Sequence, residues 1–167
     1  MGLFLNITTF PNVEVIALEN MELTHCFNMR GLIKLSLCNV TVYDEFWREF
    51  LSNFSERLHV LRLSKMELRD ADIIPVLEKG RFTELDLSYT LITDETLFTI
   101  AKTQTDLVTV DLCETKVTPK GLAALADLTK LQTITVSHLP QLPKGEKRRP
   151  KALKEFHVLS EYNPSIF

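Results

Sequence analysis

At 167 residues, with 45% apolar and 25% charged residues and a formal net charge of −3, the chain is sized and composed for one body with a buried core. Five glycines and seven prolines are too few for a low-complexity or disordered chain. No apolar run approaches the roughly 20 residues of a membrane-spanning helix, and Met1-Gly2-Leu3-Phe4-Leu5-Asn6 lacks the basic head and apolar length of a secretory signal. The expectation is an intracellular protein, whether cytoplasmic, nuclear or organellar.

Residues 1–12 are apolar without a pattern and read either as a cap over the first strand or as the stump of an upstream element. From Val13 onward one pattern returns: an apolar residue, then apolar residues three, five and usually eight positions later. It starts at Val13, Leu32, Leu58, Phe82, Leu107, Leu131 and Leu153, in steps of 19, 26, 24, 25, 24 and 22 residues. Self-similarity at such a period marks a stack of like units, each too small to bury its own apolar face. Within a unit the first half alternates, as a half-buried strand does, and the second half turns helical.

The first unit, 19 residues long, has room only for a turn or loop after its strand. The second predicts a helix from Asp44 to about Phe54, in which Phe46, Phe50 and Phe54 share one stripe and Trp47 starts a neighbouring stripe with Leu51. Trp47 is then either filler between strands or a partly exposed anchor for a partner. The third unit predicts a short helix over Asp70 to Lys79, with Pro75 inside it and Gly80 ending it. In the fourth, Leu85-Asp86-Leu87-Ser88 alternates, Thr93 caps a helix with Asp94 and Glu95 in its first turn, and Leu97, Ile100 and Ala101 form the inward face. In the fifth, Thr118 caps, Pro119 takes the first helical position, and Leu122, Leu125 and Ala126 point inward. Pro140-Gln141-Leu142-Pro143 then breaks the pattern. From Leu142 to Lys154 six basic residues face Glu146 alone, a net +5 that leaves −8 on the rest of a chain totalling −3. This basic loop, 142–152, with Lys144, Lys147, Arg148, Arg149 and Lys151, is either a solvated linker or a docking, nuclear-import or phosphate-contact patch. With no aromatic residue interleaved, nothing beyond a weak nucleic-acid contact is expected of it. Residues 153–167 supply a terminal strand and a C-terminal cap.

Cys26, Cys38 and Cys113 are an odd set in a chain without secretion signals, so free thiols are expected. Cys38 and Cys113 share a register position three units apart, about 14 Å at parallel-strand spacing, too far for a bridge. The Asn-x-Ser/Thr triplets at Asn6, Asn39 and Asn53 read as coincidence.

Phe10-Pro11-Asn12-Val13, the stretch from Leu85 through Tyr89 and Ile92 to Asp94, and the stretch from Leu107 through Asp111 and Cys113 to Val117 resemble leucine-rich repeats, over residues 10 to about 160. The Ile-Thr-Asp helix opening and the 24 to 26 residue length are most similar to the cysteine-containing repeats of F-box substrate adaptors. The resemblance implies an α/β solenoid, a horseshoe of six to seven repeats with a parallel sheet on the concave side and helices or loops on the convex side. Repeats one to six would fill residues 13–141. Where many such repeats carry Asn or Cys to bond neighbouring backbone, this chain has Met21, Val40, Met66, Thr90, Thr115, Leu139 and Glu161, so only Thr90 and Thr115 are expected to continue a polar ladder.

The register sorts the outward strand residues into rows. The central row reads Ala17, Ser36, Arg62, Asp86, Asp111, Thr135, His157; the row before it reads Val15, Lys34, Val60, Glu84, Thr109, Thr133, Glu155; the row after it reads Glu19, Cys38, Ser64, Ser88, Cys113, Ser137, Leu159. Lys34 and Arg62 make a basic spot on the early units, and Glu84, Asp86, Asp111 and Glu114 an acidic one on the middle units. Arg62 has Asp86 next door as a pairing partner, whereas Asp86 and Asp111 repel one another unless a cation approaches. That points to a protein partner with a basic surface. Catalysis finds no foothold: His25, His59, His138 and His157 fall in different units, His138 beside Glu114 is an incidental couple, and glycine-rich phosphate loops and paired metal-ligand motifs are missing. No enzyme activity, cofactor or metal is expected. The reading is a non-catalytic protein-interaction domain, a scaffold or assembly subunit holding its partner on the sheet. The alternative, implied by the resemblance, is a substrate-recognition module of a ubiquitin ligase. That would require an F-box of helices upstream of Met1, since none is read in these residues.

Overall fold

The computed structural model describes residues 12–27, 29–137 and 153–159. Seven strands, β1 (Val15–Leu23), β2 (Lys34–Val42), β3 (Val60–Arg62), β4 (Glu84–Asp86), β5 (Thr109–Asp111), β6 (Thr133–Ser137) and β7 (Glu155–Leu159), form one parallel sheet in strict chain order. Between them run α1 (Asp44–Ser52), α2 (Asp70–Lys79), α3 (Asp94–Thr103) and α4 (Pro119–Ala124), the last continued by a 3-10 turn, Leu125–Asp127. As expected, no helix lies between β1 and β2 among the described residues. Each helix touches the next, α1 on α2, α2 on α3 and α3 on α4, so the helices form a second layer over one face of the sheet. Among the described residues no helix is long and apolar enough to cross a membrane.

Period-two alternation puts Leu35, Leu37, Leu61, Leu63, Leu85, Leu87, Val110, Leu112, Ile134 and Val136 on the helix-covered face, all buried in one cluster. Phe46, Phe50, Ile73, Val76, Leu77, Leu97, Ile100, Leu122 and Leu125 close it from the helix side. An aromatic file ties two units together: Phe46 to Phe50 and Phe50 to Phe54 at 6.0 Å, then Phe54 to Phe82 edge-on at 6.3 Å. Gly80, just past α2, lets that last contact form, since a Cβ there would sit 2.6 Å from Phe82 Cζ and 2.7 Å from Phe54 Cζ.

The repetition is also written in the backbone. Asn20, Asn39, Lys65, Tyr89 and Glu114 all take the left-handed conformation, with φ between 52° and 56°. They stand at the eighth position of successive units, in the same steps of 19, 26, 24 and 25 residues. This kink swings the chain out of the sheet toward the helix layer, while its N–H still bonds the next unit: Asn39 to the Ser64 carbonyl at 3.0 Å, Lys65 to Ser88 at 2.9 Å, Tyr89 to Cys113 at 2.8 Å.

Two polar arrangements differ from expectation. Thr90 and Thr115 do not reach a neighbouring unit: their hydroxyls donate to the carbonyls of Leu87 at 2.6 Å and Leu112 at 2.8 Å, three residues back in their own turns. The cross-unit ladder is built from helix N-termini instead. Asp70 accepts from Thr93 N–H at 2.9 Å, Thr93 Oγ1 at 2.8 Å, Thr96 N–H at 3.3 Å and Thr96 Oγ1 at 2.6 Å. One unit on, Asp94 accepts from Thr118 N–H at 2.7 Å and Thr118 Oγ1 at 2.6 Å. Burial acts to raise the Asp70 carboxyl, and the four donated hydrogen bonds outweigh it, holding its pKa below the usual carboxylate value.

Candidate interaction surface

Among the described residues, the sheet face opposite the helices carries the polar side chains. Strand pairing aligns Ala17, Ser36, Arg62, Asp86, Asp111, Thr135 and His157 as one row, and Val15, Lys34, Val60, Glu84, Thr109, Thr133 and Glu155 as the row before it. From Ser36 to Thr135 the central row is half-buried, framed by its own neighbours, and His157 is exposed. The third row behaves differently in the middle of the sheet. There the strands end at Asp86 and Asp111 and the chain turns under, so Ser88 and Cys113 are buried instead of facing outward.

The electrostatics of this face hinge on where Arg62 goes. Its Nε lies 2.6 Å from Glu84 Oε1, and Nη2 meets the same oxygen, so Arg62 pairs diagonally with Glu84 and not with Asp86 across the row. Glu has one more methylene than Asp to lean along the strand, and one oxygen of Asp86 is already held by Ser88. Asp86 Oδ1 accepts the Ser88 N–H at 3.0 Å and the Ser88 hydroxyl at 2.6 Å. Asp111 Oδ1 likewise accepts the Cys113 N–H at 2.9 Å. Each aspartate thereby stiffens its own turn. Side by side in the ladder, the two carboxylates have no ion-pair partner among the described residues. Lys34, half-buried on β2, likewise makes no ion pair among the described residues.

Cys113, two residues past Asp111, is buried. Burial pushes its thiol up to about 12, and the hydrogen bond and charge of Asp111, then the charges of Glu114 and Asp86, push in the same direction. Cys26 is pushed up to about 12 as well, by burial first and the Glu49 charge last, against the lowering effect of its bond to the Phe27 carbonyl. Both are neutral thiols at physiological pH and weak nucleophiles. Cys26, Cys38 and Cys113 are all free, and Cys38 and Cys113 stand on units three strands apart.

No protein-family model matches the chain, and no curated protein matches it either.

The remaining candidates fall in separate places. Glu114 is exposed in the turn after β5, beyond the C-terminal end of that strand, where its N–H donates to Ser137 Oγ at 2.5 Å. It lies at the margin of the acidic patch, and not on the sheet face. His157 comes within 3.4 Å of Glu155 Oε2 on its own strand. Trp47 is half-buried, edge-on to Phe46 at 5.3 Å and tilted against Phe50 at 5.6 Å, so its ring belongs to the α1 aromatic cluster on the helix side, away from the acidic rows. The basic loop with Lys144, Lys147, Arg148, Arg149 and Lys151, the residue His138, and most of the cap in 1–12 lie outside the described residues. His25 approaches Glu49 at 3.4 Å, and that carboxyl is held low chiefly by the Cys26 N–H at 2.7 Å. Among the described residues no group of three His, Cys, Asp or Glu side chains is placed to hold a metal ion.

Sequence reasoning missed the polar staples. Gln104, fully buried after α3, accepts the Phe82 N–H at 2.9 Å and donates to the Leu77 carbonyl at 2.6 Å. Ser55, buried after α1, donates to the Leu32 carbonyl at 2.9 Å. Each satisfies backbone groups 22 to 27 residues earlier in the chain, a role visible only once the units are stacked.

Proposed function

We propose that this chain is a solenoid of the leucine-rich repeat type that works as a non-catalytic interaction domain, a scaffold or assembly subunit holding a protein partner on its concave sheet. The observation that carries the reading is the Asp86–Asp111 pair: aligned on adjacent strands and bypassed by Arg62, which Glu84 holds. Two like charges a strand apart destabilise the sheet by a few tenths of a kcal/mol to about 1 kcal/mol, and a cationic group arriving from a partner removes that repulsion. The parallel register supports it too, because aligned rows of side chains on one sheet present a fixed pattern to a partner.

The test is charge reversal on the face. Asp86→Lys with Asp111→Lys abolishes retention of the partner that wild-type protein purifies from its native cells, while circular dichroism and the melting curve stay close to wild type. Retained binding by a folded double variant shifts the docking site away from this face.

A further inference from the structure

Thr118-Pro119 is the one Ser/Thr-Pro dipeptide in the sequence. Thr118 is exposed, its backbone is extended at φ −118° and ψ 168°, and it ends the irregular stretch between β5 and α4, with exposed Lys116 and Lys120 on either side. A following proline forces this extended shape and withdraws its own N–H. A hydroxyl on such a segment, at the surface and outside regular structure, is what a proline-directed protein kinase accepts. The same hydroxyl donates to Asp94 Oδ2 at 2.6 Å and the Thr118 N–H donates to Oδ1 at 2.7 Å, so one residue joins the start of α4 to the start of α3. Thr93, the equivalent residue one unit earlier, is half-buried against Asp70 and followed by Asp94, and so presents neither feature.

We propose that Thr118 is a phosphoacceptor for a proline-directed kinase, and that its phosphorylation opens the Asp94 clasp and loosens α4 from α3. Thr118 Oγ1 attacks the γ-phosphorus of a nucleoside triphosphate. The bond to the β,γ-bridging oxygen breaks, the nucleoside diphosphate leaves, and the hydroxyl proton passes to the kinase's base. The esterified Oγ1 has no proton to donate to Asp94, and the phosphate carries a charge of about −1.5 to −2 against that carboxylate. Asp94 has no room to withdraw toward α4, because Gly121 lies against it so closely that even a Cβ there would overlap its carboxyl group.

Folded protein is incubated with a purified proline-directed kinase and ATP, the product is mapped by mass spectrometry, and its melting temperature is compared with that of the untreated protein. Expected are one phosphate, on Thr118, and a melting temperature lower by about 3–8 °C. Thr118→Val takes up no phosphate, and in Asp94→Asn the drop on phosphorylation is smaller than in wild type, because the opposing charge is gone. Phosphate entering a peptide of residues 112–124 but not the folded protein overturns the acceptor assignment. Phosphorylation at Thr118 with an unchanged melting temperature, or with an equal drop in Asp94→Asn, overturns the clasp mechanism.

Discussion

The paired clasps Asp70–Thr93/Thr96 and Asp94–Thr118 provide an internal comparison. Asp70 accepts four hydrogen bonds and Asp94 two, by the same chemistry at the same place in successive units. Asp70→Ala strands four donors. One of them, the Thr96 hydroxyl, belongs to a residue with 0% exposure, so water does not replace its partner. An unsatisfied buried donor costs about 1–3 kcal/mol, and bonds to a charged acceptor are worth about 1.5–3 kcal/mol before discounting for solvent at the half-buried Thr93. Loss of a first-turn acid from α2 adds about 0.3–1 kcal/mol. The expected total for Asp70→Ala is about 3–4 kcal/mol. Asp94→Ala releases two donors of the exposed Thr118 to water and is expected to cost about 1–2 kcal/mol.

Urea unfolding at pH 7 measures both. The pH dependence adds a sign. The folded pKa of Asp70 lies below the unfolded value of about 3.9, so its contribution is complete above that value and is lost as pH falls through the folded pKa. The gap between wild type and Asp70→Ala therefore narrows below about pH 4, as the wild-type carboxylate takes up its proton. An Asp94→Ala penalty equal to that of Asp70→Ala, or a gap that stays constant down to the acid limit, refutes the assignment of this stability to charged hydrogen bonds counted by donor and burial.

Two further substitutions test the aromatic file and the backbone kinks. Gly80→Ala is expected to cost about 1–3 kcal/mol in thermal or urea unfolding, because its methyl displaces the Phe54 and Phe82 rings. In a Phe54→Leu background, where one of those rings is gone, the added cost of Gly80→Ala shrinks; a neutral Gly80→Ala contradicts the packing. Lys65→Gly is expected to raise stability by about 0.5 kcal/mol: glycine removes about 1 kcal/mol of left-handed strain at φ 55°, offset by the loss of the exposed Lys65 contact over Tyr89 at 5.6 Å. Ser64→Gly, one residue earlier and without positive φ, is expected to lower stability by about 0.5–1 kcal/mol, and the opposite signs are read in parallel urea titrations.

What could be read from the chain follows from how local each signal is. Strand register was legible because Leu61, Leu63, Leu85 and Leu87 alternate with polar residues, and a one-residue slip would turn every leucine to solvent. Helix starts were legible at Thr93 and Thr118 because capping chemistry acts within three residues. The same locality explains the bounds of α2, from Asp70 to the residue before Gly80. Gln104 gave no signal, since its partners Phe82 and Leu77 lie 22 and 27 residues away and meet it only after α2 and α3 have stacked. Nor did Lys65, Tyr89 and Glu114, whose residue types do not favour the left-handed turn that Asn20 and Asn39 adopt readily.

Arg62 shows where a correct register still leaves a contact undecided. Its row neighbour is Asp86, and its diagonal neighbour, one row back on the same strand, is Glu84. Strand pairing fixes Cα positions, but which carboxylate an arginine takes depends on side-chain lean and on what each acid already holds. Ser88 had claimed Asp86 through two hydrogen bonds within a single turn, so the ion pair moved diagonally and left the Asp86–Asp111 repulsion unrelieved. A serine two residues further along the chain thus competes with Arg62 for one oxygen of the carboxylate that makes this face a candidate for a basic partner. Ser88→Ala frees Asp86 to compete for Arg62, and it should weaken partner binding without altering any charge on the face.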